Sequence, residues 1–218
     1  MKKSKIVTTF LVIALSVGFI HAARFVFGPK GKVTFDKRIL NRSQGSPNAP
    51  VWIVEYMDYQ CPACRTAFYV IDAALKEYPS QIYFQVRFHP IKQHRHGLES
   101  AIYSECAMRQ KKFWEFHQLL FENQKEWEDL ILIEDKFHAY AQRAGLNLVA
   151  LDACVADPLT RETVLKENED SKKLGVNTTP IFFVNGKMVA GIKEMKAELK
   201  KLFPKLLLTN ENNGGASH

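Results

Sequence analysis

The stretch "VEYMDYQCPACRTAF" sets two cysteines, Cys61 and Cys64, three residues apart at the seam between two different periodicities. The run before them, "VWIVEY" (Val51–Tyr56), is β-branched and aromatic and reads as a strand. The run after them, "RTAFYVIDAALKEYP", places Phe68, Ile71 and Leu75 at i, i+3 and i+7, an amphipathic helix stopped by Pro79. Pro62 suits the first turn of that helix, where its missing N–H costs nothing. A chain with this junction has to end a strand, present a dithiol and open a helix within about ten residues.

Two cysteines at that spacing can hold a metal or exchange electrons. A structural zinc site wants four Cys or His ligands, usually in two pairs. Cys106 and Cys154 stand apart in helical segments, and His89, His94 and His96 of "FHPIKQHRHG" read as a solvated polar loop, although they could supplement a site. Neither a metal nor another cofactor is expected. In the redox reading, the free backbone N–H groups of Ala63 and Cys64 and the helix dipole favour a thiolate on Cys61. Cys64, one turn further in, is then the more buried, resolving thiol.

The remaining segments surround this junction. "IYFQVRFHP" alternates Ile82, Phe84, Val86 and Phe88 and is a second strand. From about residue 97 to 172 the pattern is helical: "LESAIYSECAMRQ", "KFWEFHQLLFENQ", "LILIEDKFHAYAQRAG", "LVALDACVA", then a longer polar helix opened by Pro158. "TTPIFFVNGKMVAG" is a hairpin turning at Asn-Gly, and "KEMKAELKKLF" a closing amphipathic helix. The order predicts an α/β fold: a central mixed sheet flanked by helices, with an all-helical subdomain inserted. The expected boundaries are a domain at 49–207, preceded by a tether at 24–48 with one edge strand at "KVTF" and followed by a disordered tail at 208–218.

Residues 1–23 have the layout of an export signal. "MKKSK" precedes the apolar run Ile6 to Ile20, and Ala22 or Ala23 offers cleavage without a clean A-x-A. A removed signal peptide and an uncleaved membrane anchor both fit. Three of the charges behind the net +7 belong to this segment, and the rest are dispersed, which speaks against nucleic-acid binding. Export places the four cysteines where thiols become oxidised.

"GSPNAPVWIVEYMDYQCPACR", the helical block with "KFWEFHQLLFENQ", and "GVNTTPIFFVNG" together resemble the DsbA-like branch of the thioredoxin superfamily, over roughly Gly45 to Phe203. The resemblance implies a thioredoxin-like fold, with the nucleophile at Cys61 and the resolving thiol at Cys64. It implies a cis-proline at Pro180, preceded by Thr179, whose backbone would pair with an extended substrate. It also implies a buried acid assisting proton movement at Glu55, where the alternative is an edge acid facing water. Gln60 before Cys61, and Ala63 before Cys64, depart from the Trp-Cys-Gly-Pro-Cys of reductants and from the His of strong oxidases.

The implied activity is protein thiol oxidation in the periplasm, or on the outer face of the cytoplasmic membrane. Reduced or unfolded exported proteins would be the substrates, and a quinone-linked membrane reoxidase of the DsbB or VKOR type the partner, with the chain acting as a monomer. A disulfide isomerase or reductase, and a non-catalytic assembly protein on the same scaffold, are the alternatives. An even cysteine count in an oxidising compartment favours a Cys106–Cys154 bridge over two buried free thiols, and some relatives carry a second disulfide in this region.

Overall fold

The computed structural model describes Val33 and residues 35–205. The expected signal or anchor at 1–23, most of the tether and the tail at 208–218 lie outside the described residues. Strand β2 (Val51–Met57) runs parallel to β3 (Ile82–Phe88) from Val51↔Ile82 to Met57↔Phe88, joined by α1 (Pro62–Glu77). On its other side β2 pairs antiparallel with β4 (Ile181–Val184), which pairs with β5 (Lys187–Ala190). β1 (Ser43–Gly45) closes the far edge against β3, giving the order β1-β3-β2-β4-β5. Because β2 is central, every residue of it but Trp52 is buried, hence its nearly continuous apolar run. Asn185 and Gly186, both at positive φ, turn β4 into β5.

The edge strand among the described residues falls at Ser43–Gly45; of "KVTF" only Val33 and Phe35 are described, and neither is in a strand. Val33 and Phe35 contribute side chains to the sheet face, where Phe35 lies against the rings of Trp52 and Tyr83. The backbone edge belongs to β1, since a Cβ at Gly45 would sit 2.0 Å from the Ile82 carbonyl oxygen and glycine alone permits that approach.

Between β3 and β4 lie α2 (Gly97–Arg109), α3 (Phe113–Glu122), a single turn α4 (Gln124–Trp127), α5 (Glu134–Arg143), α6 (Leu148–Ala156) and α7 (Pro158–Lys173). α8 (Gly191–Leu202) closes the fold against α1. No helix among the described residues is long and apolar enough to cross a membrane. Two helical expectations shift. The segment "LILIEDKF" is not helical until Glu134, and Ile131 and Leu132 are exposed, because the Leu130 carbonyl turns back to meet His96. In α1 the buried stripe is Cys64, Ala67, Val70, Ile71 and Ala74, with Phe68 and Leu75 flanking it; the small alanines let the helix sit close to the sheet.

Two long-range ties fix the helices. Arg42, in a short 3-10 helix at Lys37–Arg42, is fully buried over the Phe88 ring and pairs with Glu105 of α2 at 2.6 Å and Glu167 of α7 at 2.9 Å. Cys106 of α2 and Cys154 of α6 form a disulfide across 48 residues.

Removing the Arg42 guanidinium takes the closest cation from the buried Glu105 and the partly buried Glu167, so Arg42→Ala should cost about 3–5 kcal/mol in urea unfolding. A loss under about 1 kcal/mol would show that the carboxylates find other partners. Replacing Cys106 and Cys154 together by Ala frees a 48-residue loop in the unfolded chain and should cost about 4 kcal/mol. An unchanged denaturation midpoint would mean that the bridge does not form in the folded protein.

Candidate active site

β2 delivers the chain to a tight turn at Asp58–Cys61. The Asp58 carboxylate accepts the Gln60 N–H at 2.7 Å and its carbonyl accepts the Cys61 N–H at 3.2 Å. Cys61 is the N-cap of α1 in extended conformation, and its carbonyl takes the N–H groups of Cys64 and Arg65, each at 3.1 Å. The helical block grips this junction. Gln124 of α4 donates to the Tyr59 carbonyl at 2.7 Å and the Cys61 carbonyl at 3.2 Å. Gln60 donates to the Glu128 carbonyl at 2.6 Å and accepts the His96 N–H at 2.7 Å, while Arg65 holds the Phe121 carbonyl at 2.9 Å.

Both cysteines of the pair are free thiols. Cys61 keeps 7% of its surface exposed and Cys64 none. The Cys61 thiol is lowered to about 6, foremost by a hydrogen bond from Cys64, against the opposing effect of burial. Thr179 and the backbone N–H groups of Cys64 and Ala63 add to the lowering. Burial, then the hydrogen bond to Cys61, pushes Cys64 well above an ordinary thiol. The pair therefore has one ionisable sulfur at the surface and one neutral sulfur beneath it.

The register Tyr56↔Ile181 brings the residue before β4 level with the end of β2. The Cys61 Sγ consequently lies 3.5 Å from the Thr179 carbonyl oxygen, 118 residues away, and the Thr179–Pro180 peptide is cis. Glu55 is buried in β2, with Oε1 free of any hydrogen bond. Burial first, and the Cys61 thiolate second, raise its carboxyl to about 8. A cleft of about 160 Å³ between α1 and α3 reaches it, walled by Phe68, Trp114 and His117. His117, whose Nδ1 is 2.9 Å from the Tyr59 hydroxyl, is lowered to about 3 by burial and stays neutral.

Sequence reasoning missed the residues that brace this site. Asp58 could have been found, as an Asx turn ahead of a helix start. The glutamine contacts, which cross from one element to another, had no local signal. The "HRH" segment is not a solvated surface. His96 is buried with Nε2 2.8 Å from the Leu130 carbonyl oxygen, His89 lies 2.6 Å from the Ser171 hydroxyl, and His94 is half-buried. No group of three or more candidate metal ligands gathers among the described residues.

An α/β sheet of this order, with a dithiol at the start of α1 beside a cis-proline loop, is the thioredoxin-like architecture. A family model described as thioredoxin matches residues 38–202, and the chain belongs to that family. Among solved structures it is similar to α-DsbA1 of Wolbachia pipientis, with a TM-score of 0.64 and 23% identity over 76% of this chain and 89% of that one. It is similar also to BdbD of Bacillus subtilis, with a TM-score of 0.64 and 22% identity over 79% of this chain and 98% of that one. The curated relatives include a Na(+)/H(+) antiporter NhaA 1 of Mycobacterium sp. (strain KMS), 33% identical over 153 residues, which are 68% of this chain and 24% of the antiporter. The chain thus spans about a quarter of the length of the curated relatives it matches.

In the reduced protein, the ultraviolet absorbance of thiolate should rise with a midpoint near pH 6 and vanish in Cys61→Ala. Alkylation should follow the same curve at Cys61 and leave Cys64 unmodified. A midpoint near that of a free thiol, or modification of Cys64 first, would reverse the assignment.

Proposed function

We propose that the chain is an exported protein thiol–disulfide oxidoreductase that oxidises substrate cysteines through the Cys61–Cys64 pair. The observation that carries this reading is the Cys61 sulfur: slightly exposed, low in pKa, and facing the Thr179 carbonyl. In the oxidised form, a substrate thiolate attacks Cys61 Sγ. The Cys61–Cys64 bond breaks and Cys64 leaves with the electron pair. Its high proton affinity means that it leaves as a thiol, and Glu55, whose carboxyl is raised first by burial, is the proposed donor of that proton. The substrate's second thiolate then attacks the substrate sulfur of the mixed disulfide and releases Cys61 as a stabilised thiolate. Two electrons have passed to the pair and the substrate has gained a disulfide.

Lowering the nucleophile's pKa stabilises the reduced form and so makes the disulfide a better oxidant, which favours oxidation over reduction. Thr179 and Pro180 line the substrate side, and the exposed Asn177 and Thr178 leave the approach open. Turnover then needs an acceptor of two electrons, for which a quinone-linked membrane reoxidase is the proposed partner. The proposed location is the periplasm or the outer face of the cytoplasmic membrane, consistent with a basic, apolar N-terminus. Isomerase or reductase chemistry at the same pair is the alternative.

Cys64→Ala, with its resolving thiol removed, should accumulate mixed disulfides through Cys61 with reduced exported proteins, and Cys61→Ala should trap none. The wild-type disulfide should oxidise a dithiol peptide stoichiometrically while the dithiol reduces insulin poorly. Fast insulin reduction with no peptide oxidation would sink the oxidase reading in favour of the reductase.

A further inference from the structure

The dipeptide between the two thiols, Pro62-Ala63, offers neither a charge nor a side-chain donor to the Cys61 sulfur. Two residues before Gln60, moreover, stands a buried carboxylate. Asp58 has no exposed side-chain surface, and its Oδ2 accepts the Ile91 N–H at 2.6 Å while Oδ1 holds the Gln60 N–H. Its backbone N–H points to Cys64, and a Cβ at Gly97 would lie 2.5 Å from Oδ2, so that α2 starts hard against it. An uncompensated negative charge here would repel a thiolate on Cys61.

The structure supplies the compensation from another element. His94, on the loop between β3 and α2, brings Nδ1 to 2.9 Å from Asp58 Oδ2. The N–H direction falls outside hydrogen-bond alignment, which leaves a charge–charge contact. We propose that His94 is a positioning residue for the Cys61 thiolate: as an imidazolium against Asp58, it cancels the negative charge that the buried carboxylate would otherwise set beside the sulfur. The Asp58 carboxylate raises the imidazole's pKa against its partial burial, and the Cys61 thiolate raises it further. That coupling is mutual, so a charged His94 favours the thiolate by the same amount.

The hydrogen bonds from Cys64, Thr179 and the helix start carry the larger part of the lowering of Cys61, and His94 acts on top of them. Other charges near His94 do not substitute for it. His94 lines a second cleft, of about 540 Å³, on whose wall Glu169 and Lys172 of α7 neutralise each other at 2.6 Å. Lys92 and Arg95 of the loop are exposed, and solvent screens them. Burial pushes His89 down, away from the charged form.

This inference rests on Cys61 being the ionised sulfur of the proposed oxidoreductase, but its readouts do not depend on the direction of electron flow. They are the thiolate titration of the reduced protein and the reduction potential against glutathione. His94→Gln should lower the Cys61 ionisation constant roughly threefold to tenfold, the effect of losing one partly screened charge near the sulfur. Well above the pKa of both forms the full factor makes the disulfide less oxidising by about 15–30 mV, with a smaller shift near pH 7 where the variant's thiol is partly protonated. His94→Arg, which keeps the charge, should restore both values, and thermal unfolding of the oxidised forms checks that each variant folds. The proposal is overturned if His94→Gln leaves titration and potential unchanged, or if His94→Arg shifts them as far as His94→Gln does. Failure of the oxidase assay with a normal His94→Gln shift would strike the functional reading and spare this one.

Discussion

A charged sulfur kept against a dry protein interior is the constraint on which this structure is arranged. The N-terminal turn of α1 is the place where a thiolate meets free backbone N–H groups and a favourable dipole together. That turn can be offered to a substrate because β2, buried on both faces, ends directly beneath it. The antiparallel pairing of β4 on β2 then carries Thr179 to the same point from the far end of the chain. Shifting that register by one residue would turn every side chain of β4 to the opposite face and withdraw the Thr179 carbonyl.

The helical block is more than a cover for the sheet. Its side chains, Gln124 above all, bond to backbone carbonyls on both sides of the cysteine turn, so that the turn is braced from outside the strand and the helix that form it. Arg42 and the Cys106–Cys154 bridge hold the block itself in place. Rigidity at Cys61 is thus drawn from contacts dispersed through more than a hundred residues of sequence.

Much of this could be seen in the chain before any coordinates. The strand before Cys61, the helix after it, the Asn-Gly hairpin and the run of inserted helices all follow from periodicity and turn chemistry, which act locally. What escaped was of another kind. Alanine gives no hydrophobic signal, so the buried stripe of α1 reads from Phe68, Ile71 and Leu75 and misses Ala67 and Ala74. Leu130, Ile131 and Leu132 look like a helix face, but the Leu130 carbonyl is committed to His96 and the run stays in a loop. Arg42 reads as one more surface cation, and His94 as part of a polar loop, because nothing nearby in sequence names their partners. Periodicity tells which face of an element is buried; it does not tell which charge waits on the other side.

Glu55, raised to about 8, and Cys61, lowered to about 6, invert the ordinary order in which a carboxyl and a thiol lose their protons. The stabilisation from Cys61 grows with pH between about 6 and 9, its folded and unfolded values, and is lost as pH falls through 6. The contribution of Glu55 has the opposite sign, falling with pH between about 4.5 and 8. Over the shared interval, folded and unfolded chains carry the same number of protons on these two groups, and their slopes cancel. Closing the disulfide removes the thiol from this balance, while the carboxyl stays raised by its burial. The reduced fold is then blind to acidity across the neutral range as far as this pair is concerned, and the oxidised fold is not: making one sulfur–sulfur bond gives the protein a sense of pH.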